Sequence, residues 1–368
     1  MTTVQLQQLT RNYGDHWVLD ALNLTIESGS YVVLLGPSGC GKTTTLRMIA
    51  GLEQPDRGEV IFDNVEMTSV PPRKRDVSMV FQQDGLYPHM TVAQAIRLSL
   101  RGRCPASEIN TRFSDAVSLT GVDALLQQFP NQLSGGELRR AAIAAAVAKR
   151  TAVRLLDEPL SALDVAVRQS LQDDVLQWHR SVPGTTIHVT HDGREAMRVA
   201  DRIAVMDGGR IVQYDIPENV FDQPETVAVA KAIGTPTINW IDADLVDGML
   251  CFHESAIQAL PSFKVNATNQ SVLVGVRPDA FCLGSREPQR TLESGIVIQA
   301  SLQECRVVES QLQLSIRAGH VVITALSDRH FSGHLPSPGG SLEVQVKSDL
   351  IHVFSKEHGQ RLKVSEVG

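Results

Sequence analysis

Between a short apolar run at 31–35 and a helix-patterned stretch at 43–51 lies Gly36-Pro37-Ser38-Gly39-Cys40-Gly41-Lys42-Thr43-Thr44, and no other feature limits the fold of this chain so strongly. A glycine-rich loop that joins a buried strand to a helix turns consecutive backbone N–H groups and a helix N-terminus toward an anion. The glycines allow close approach, Lys42 is placed to neutralise β- and γ-phosphate oxygens, and the Thr43 hydroxyl suits Mg²⁺. The run before the loop is short, β-branched and stopped by glycine, as a buried strand should be. Leu46, Ile49 and Ala50 then share one helix face. The loop specifies a nucleotide and leaves the reaction open.

Around it, short apolar strands alternate with helices. Alternating runs at 4–9 and up to Ile26 flank a turn at Asn12-Tyr13-Gly14. Residues 91–130 are mostly helical in pattern, with breaks at 101–106 and Gly121, and further strands fall at 153–156, 187–189 and 203–206. A helix is expected from 161 to about 180 and another over 137–149. This order implies a mainly parallel sheet covered on both faces, with a helical subdomain at about 91–150. Near Gly234-Thr235-Pro236-Thr237 the texture changes. Beyond it, segments at 272–276, 295–298, 311–316, 321–325, 342–346 and 350–354 are short and apolar or alternating. Gly, Pro, Ser and Asn separate them, most densely at 332–340, which predicts an all-β module, barrel or sandwich, over 235–368 after a first domain at 1–234.

Composition narrows the partners. The 368 residues carry 34 Lys and Arg against 41 Asp and Glu, a net charge of −7, and acids outnumber bases on both sides of Gly234. A nucleic-acid partner is therefore not expected. The cysteines Cys40, Cys104, Cys251, Cys282 and Cys305 are scattered and odd in number, which fits a reducing compartment and no structural zinc. No stretch approaches the ~18 apolar residues of a membrane span, and the N-terminus lacks a signal-peptide core. A soluble cytosolic chain is expected, reaching any membrane through a partner.

A second set of motifs selects the job. Leu133-Ser134-Gly135-Gly136-Glu137 precedes Leu155-Leu156-Asp157-Glu158, then Ser161-Ala162-Leu163-Asp164, then Val189-Thr190-His191-Asp192. In this order, over essentially the whole chain, they resemble the nucleotide-binding subunits of ABC transporters. Asp157, ending an apolar strand, suits Mg²⁺ coordination directly or through water. Glu158 is then placed to polarise the water that attacks the γ-phosphate. The resemblance implies that Gln82 contacts Mg²⁺ and water and senses the membrane partner, that His191 contacts the γ-phosphate, and that Tyr13 stacks on adenine, with Trp17 a weaker competitor. Ser134, Gly135 and Gly136 offer a hydroxyl and N–H groups at a helix start, an anion site by its dipole. In the resembled family this loop caps the γ-phosphate of the opposite subunit, so a head-to-tail homodimer with two ATP molecules is implied.

The branch follows from Phe81-Gln82-Gln83-Asp84-Gly85-Leu86-Tyr87-Pro88-His89, from the later Phe221-Asp222-Gln223-Pro224 and from Gly275-Val276-Arg277-Pro278-Asp279. These look like importer ATPases with a C-terminal OB-type regulatory domain, and the stretch Thr235-Pro236-Thr237-Ile238-Asn239 is closest to those of maltose- and glycerol-phosphate-type sugar importers; iron, sulfate and polyamine importers share the architecture. The implied fold is an α/β P-loop ATPase core with a helical subdomain, then an all-β OB-type barrel. The implied setting is the cytoplasmic face of the cell membrane, with permease subunits and a solute-binding protein as partners. The groove near 82–89 is the expected permease dock, with Leu86, Tyr87 and Pro88 as apolar contacts. One phosphate loop argues against a two-cassette translation factor, and the segment between Lys42 and Leu133 has no room for a long heptad insertion. Four positions depart from the pattern: Glu137 for Gln, Ala145 for Arg, Gly193 for Gln, and Arg154 inside an apolar strand. Arg154 is expected to snorkel to the surface or to pair with a carboxylate.

Overall fold

A computed structural model describes residues 2–82, 86–161, 163–234, 236–283, 294–308, 311–328 and 335–365. Gln83, Asp84, Gly85, Ala162 and Thr235 of the motifs above, and 332–334 of the turn-rich stretch, lie outside the described residues. The chain divides into two compact units, Met1–Pro217 and Glu218–Gly368.

In the first unit, β1 (Val4–Tyr13) and β2 (His16–Ile26) form a hairpin, and β3 (Tyr31–Leu35) leads through the glycine loop into α1 (Lys42–Ala50). Then come β4 (Arg57–Phe62), β5 (Val65–Glu66), β6 (Val77–Val80), α2 (Val92–Leu100), α3 (Ile109–Thr120) and α4 (Gly135–Lys149). The unit continues with β7 (Val153–Asp157), α5 (Val165–Ser181), β8 (Thr185–Thr190), α6 (Gly193–Val199), β9 (Arg202–Asp207) and β10 (Arg210–Asp215).

The sheet order β10-β9-β3-β8-β7-β6 is parallel from β9 to β6, with β10 added antiparallel at one edge. Every residue of β3, β7 and β8 is buried, as strands covered on both faces require. A second, antiparallel sheet runs β2-β1-β4-β5. Val4, Leu6, Leu24 and Phe62 from it pack in one core with Val32, Leu34, Leu46 and Ile49. The expected helical subdomain holds α2, α3 and α4. Its first helix begins in a capping box, Thr91 with Gln94, and its second ends at Gly121 in the left-handed region. The helix expected from 161 starts later, at Val165, because the Asp164 side chain accepts the Val167 N–H and fixes the N-terminus there.

Arg154 follows neither expectation. It is 1% exposed and its guanidinium donates to the Val182 and Pro183 carbonyls, 2.9 Å from the latter, while lying 4.9 Å from the Trp178 ring centroid. Backbone dipoles and an aromatic face thus take the place of water or a carboxylate. Burial pulls its pKa down to about 10, which still leaves the charge in place near neutrality. Gly184 makes the room, since a Cβ there would sit 2.8 Å from Arg154 Nη2.

In the second unit two antiparallel sheets share one apolar core, which includes Ile241, Val274, Ile298, Leu314, Val344 and Val353. One has the order 249–252, 239–246, 270–276, 351–355, 361–362; the other has 282–283, 341–347, 295–308, 311–318, 321–328. The strand alternation seen in the sequence is this two-sheet burial pattern. By compactness the division falls at 217/218 and not at 234/235. Arg277 explains the difference: it donates to the carbonyls of Phe221 at 2.8 Å and Ile233 at 3.0 Å, and stacks 3.7 Å from the Phe221 ring centroid. The helices Pro217–Asp222 and Val227–Ala232 are thereby held to the β strands. No helix among the described residues is long and apolar enough to cross a membrane.

Candidate nucleotide site

Three neighbouring parallel strands, β3, β8 and β7, deliver their carboxyl ends to one edge of the sheet, the place where open α/β sheets bind ligands. From β3 comes the loop Gly36, Pro37, Ser38, Gly39, Cys40, Gly41. Two of its glycines are fixed by space: a Cβ on Gly36 would lie 2.3 Å from the Met206 carbonyl oxygen, and one on Gly41 2.6 Å from that of Val18. Gly41 also stands at φ +103°, which side chains rarely adopt. α1 then opens with no side-chain cap, so its first N–H groups are turned to whatever the loop encloses. The Lys42 side chain is buried along the loop, its ammonium donating to the Gly36 and Pro37 carbonyls at 2.7 and 2.8 Å. A lysine ammonium held along a glycine loop that opens directly into a helix N-terminus makes an anion cradle. Thr44 follows on α1, and the Thr43 hydroxyl donates to Asp157 Oδ1 at 2.9 Å.

Asp157 ends β7, 3% exposed, and burial pushes its carboxyl up. A positive cation beside it would reverse that direction. With a hydroxyl and a carboxylate together, the donor set is all oxygen and suits a hard divalent ion such as Mg²⁺.

Glu158 takes φ +43°, unusual for a residue with a side chain. Its N–H donates to the Val189 carbonyl at 3.0 Å, tying it to the end of β8. The conformation turns its carboxylate to two other candidates: Gln82 Nε2 donates to Oε2 at 3.1 Å, and His191 Nδ1 lies 3.3 Å from Oε1. Residues 82, 158 and 191, far apart in sequence, therefore converge on one carboxylate. Arg139, which sequence reasoning passed over, holds the first of them by donating to the carbonyls of Phe81 and Gln82, the latter at 2.8 Å. One arginine among several on a helix gives no signal in a single sequence.

Tyr13 ends β1 half-exposed, opposite His16 in the hairpin, while Trp17 is exposed beside it. The Tyr13 hydroxyl donates to Glu53, and the Arg11 guanidinium lies 4.7 Å from its ring centroid. Val18 and Leu19, just beyond in the same hairpin, abut Gly41, which brings this aromatic pair to the side of the loop.

Ser134, Gly135 and Gly136 stand apart from this convergence. Ser134 caps α4: its side chain accepts the Glu137 N–H at 3.4 Å and its hydroxyl donates to Glu137 Oε2 at 2.7 Å. The Glu137 carboxyl is held below its usual value by that hydroxyl and by the Ser134 N–H. A Cβ on Gly136 would lie 2.7 Å from Val167 Cγ1, so the glycine is required by the neighbouring α5.

Cys40 gives a direct probe of the loop. It is 7% exposed and burial raises its thiol pKa, so it should react with maleimides more slowly than the exposed Cys251, Cys282 and Cys305. Modification of Cys40 should abolish ATP hydrolysis, and Mg-ATP should slow that modification tenfold or more. Mass spectrometry of labelled peptides reads both. Equal labelling of Cys40 with and without saturating Mg-ATP would contradict the loop geometry.

A family model described as ABC transporter matches residues 19–161. The chain is 36% identical to the sulfoquinovosyl glycerol transport ATP-binding protein of Agrobacterium fabrum, over 96% of this chain and 98% of that one. It is 37% identical to the trehalose/maltose import ATP-binding protein of Thermococcus litoralis, over 98% and 100%. It is 35% identical to an sn-glycerol-3-phosphate import ATP-binding protein of Rhizobium etli, over 98% and 99%. Among solved structures, a dimeric bacterial ABC transporter cassette matches with a TM-score of 0.53 and 30% identity, over 58% of this chain and 98% of that one.

Proposed function

This chain belongs to the ABC transporter ATP-binding proteins, and from that premise we propose that it powers uptake of a sugar or sugar-phosphate-like solute by hydrolysing ATP as a head-to-tail homodimer. The observation that carries the catalytic part is the convergence of Gln82 and His191 on Glu158, at the same sheet edge as the Lys42 cradle. Gly36–Thr44 bind the triphosphate, with Lys42 against its β- and γ-oxygens and Tyr13 against adenine. Thr43, Asp157 and Gln82 would hold Mg²⁺, which supplies charge neutralisation between the terminal phosphates. Glu158 orients and polarises the attacking water, and His191 and Gln82 keep its carboxylate aimed. Ser134, Gly135 and Gly136 serve the partner's ATP, consistent with hydrogen bonds that stay within their own helix start.

The membrane partner is a permease docking beside the glutamine loop. In the first unit a cavity of about 360 Å³ opens there, lined by Met79, Phe81, Leu86, Tyr87, Ala142 and Lys149 among others. Ala145 also lines it, so the missing arginine side chain leaves room in the groove. Tyr87 is 55% exposed, an amphipathic ring of the kind that anchors interfaces. On this reading the subunit works at the cytoplasmic face of the membrane, with a solute-binding protein outside. The solute class is supported by the named roles of the relatives, which transport or import sulfoquinovosyl glycerol, trehalose/maltose and glycerol phosphate.

Deleting the gene should abolish uptake of one carbohydrate or polyol phosphate from a labelled panel, with restoration by the wild-type gene. Unchanged carbohydrate uptake with loss of iron, sulfate or polyamine uptake would overturn the solute class and leave the ATPase standing.

A further inference from the structure

The turn that carries His191 is held by groups buried beneath it. Thr190 closes β8, buried, and its hydroxyl donates to Glu195 Oε2 at 2.6 Å while accepting the Asp192 N–H at 3.1 Å. One hydroxyl thus pins the backbone on both sides of residue 191. Glu195 is itself 4% exposed on α6. His188 Nε2 lies 3.2 Å from its other oxygen, and His188 Nδ1 is 2.9 Å from the Tyr31 hydroxyl on β3. On the far side, Asp192 caps α6 by accepting the Arg194 and Glu195 N–H groups, and its Oδ2 meets Arg168 Nη1 at 3.4 Å. Arg168 Nη2 in turn donates to the Leu163 carbonyl at 2.9 Å.

A carboxylate this deep is costly to hold, and an apolar side chain of similar volume would fill the space without that cost. Burial pushes the Glu195 carboxyl up, yet His188, the Thr190 hydroxyl and Arg168 together bring it below its usual value. The site therefore keeps it as an acceptor for Thr190. Small displacements of a reacting group lower rates far more than they lower stability, by up to about a hundredfold for 1 Å. We propose that Glu195, acting through the Thr190 hydroxyl, is a positioning residue that holds His191 against Glu158. The inference rests on the reading of His191 as a group needed for turnover.

Thr190→Val keeps the β-branched shape and removes only the hydroxyl. Its kcat for ATP should fall about ten- to a hundredfold with nucleotide affinity near wild type, the melting temperature falling by several degrees because the Glu195 carboxylate loses a partner, and Thr190→Ser should restore most of the rate. Glu195→Met should reproduce the defect, and Glu195→Gln, which keeps one acceptor, should be milder. His191→Ala is the control. If it turns over normally, the reading of the site fails. If it is inactive while Thr190→Val is normal, or if Thr190→Val loses ATP affinity in step with kcat, or if serine does not restore the rate, the positioning role is overturned.

Discussion

Glu158→Gln is expected to reduce steady-state ATP hydrolysis by about 10²–10⁴, the usual contribution of a general base, while leaving ATP affinity close to wild type. The substitution changes one atom. Glutamine can still accept the Gln82 amide through its carbonyl and can donate to His191, so the arrangement around residue 158 survives. What is lost is the negative charge that polarises water. The cradle at Gly36–Thr44 and the hydrogen bond from Thr43 to Asp157 do not involve the Glu158 side chain, and loss of its charge relieves a repulsion on the Asp157 carboxylate. Rate should thus fall without affinity, and the signature to measure is kcat by phosphate release against Kd by fluorescent nucleotide titration. Turnover within a few-fold of wild type would remove Glu158 from its assigned role.

Much of this arrangement was legible in the residues because strand ends are local. An apolar run stopped by glycine fixes where β3 ends and the loop begins, and the same logic places Asp157 at the end of β7 and His191 just after β8. The sequence does not contain the order in which those strands lie side by side, which brings residues 82, 158 and 191 onto one carboxylate. The left-handed backbone at Glu158 is equally silent, being set by a hydrogen bond to Val189 from another strand. Arg154 misled for a related reason: the carbonyls and ring that hold it belong to Val182, Pro183 and Trp178, and only the fold gathers them. Arg139 acts through backbone carbonyls, Glu195 through a single hydroxyl and Arg168 through the Asp192 carboxylate and the Leu163 carbonyl, pairings with no signature in a lone sequence. The unit boundary moved because Arg277 reaches back to Phe221 and Ile233, a bond that the change of texture near Gly234 could not reveal.

Ser134→Arg is expected to bind ATP almost normally and to hydrolyse essentially none. Its own cradle does not use residue 134: among the described residues, the Ser134 N–H and hydroxyl bond to Glu137 and its carbonyl accepts the Leu138 N–H, all within the start of α4. In a head-to-tail pair the same helix start faces the partner's γ-phosphate, where an N-terminal dipole and a hydroxyl favour the anion. In the proposed pair a long side chain there would obstruct the closure that brings Glu158 of one subunit and Ser134 of the other to the same nucleotide. Two readouts follow. On the Glu158→Gln background, ATP should convert the protein to a dimer in size-exclusion chromatography with light scattering, and adding Ser134→Arg should keep it a monomer. For the wild type free of any permease, the rate should rise faster than linearly with protein concentration if the active species is the proposed pair. Once a permease holds two copies, tethering supplies a high effective concentration and the dependence should vanish. Ser134→Ala separates loss of the cap from obstruction: it should retain ATP-driven dimerisation at higher protein concentration, where Ser134→Arg does not. A strictly linear rate from a chain that stays monomeric with ATP bound would defeat the shared site and leave each subunit hydrolysing alone.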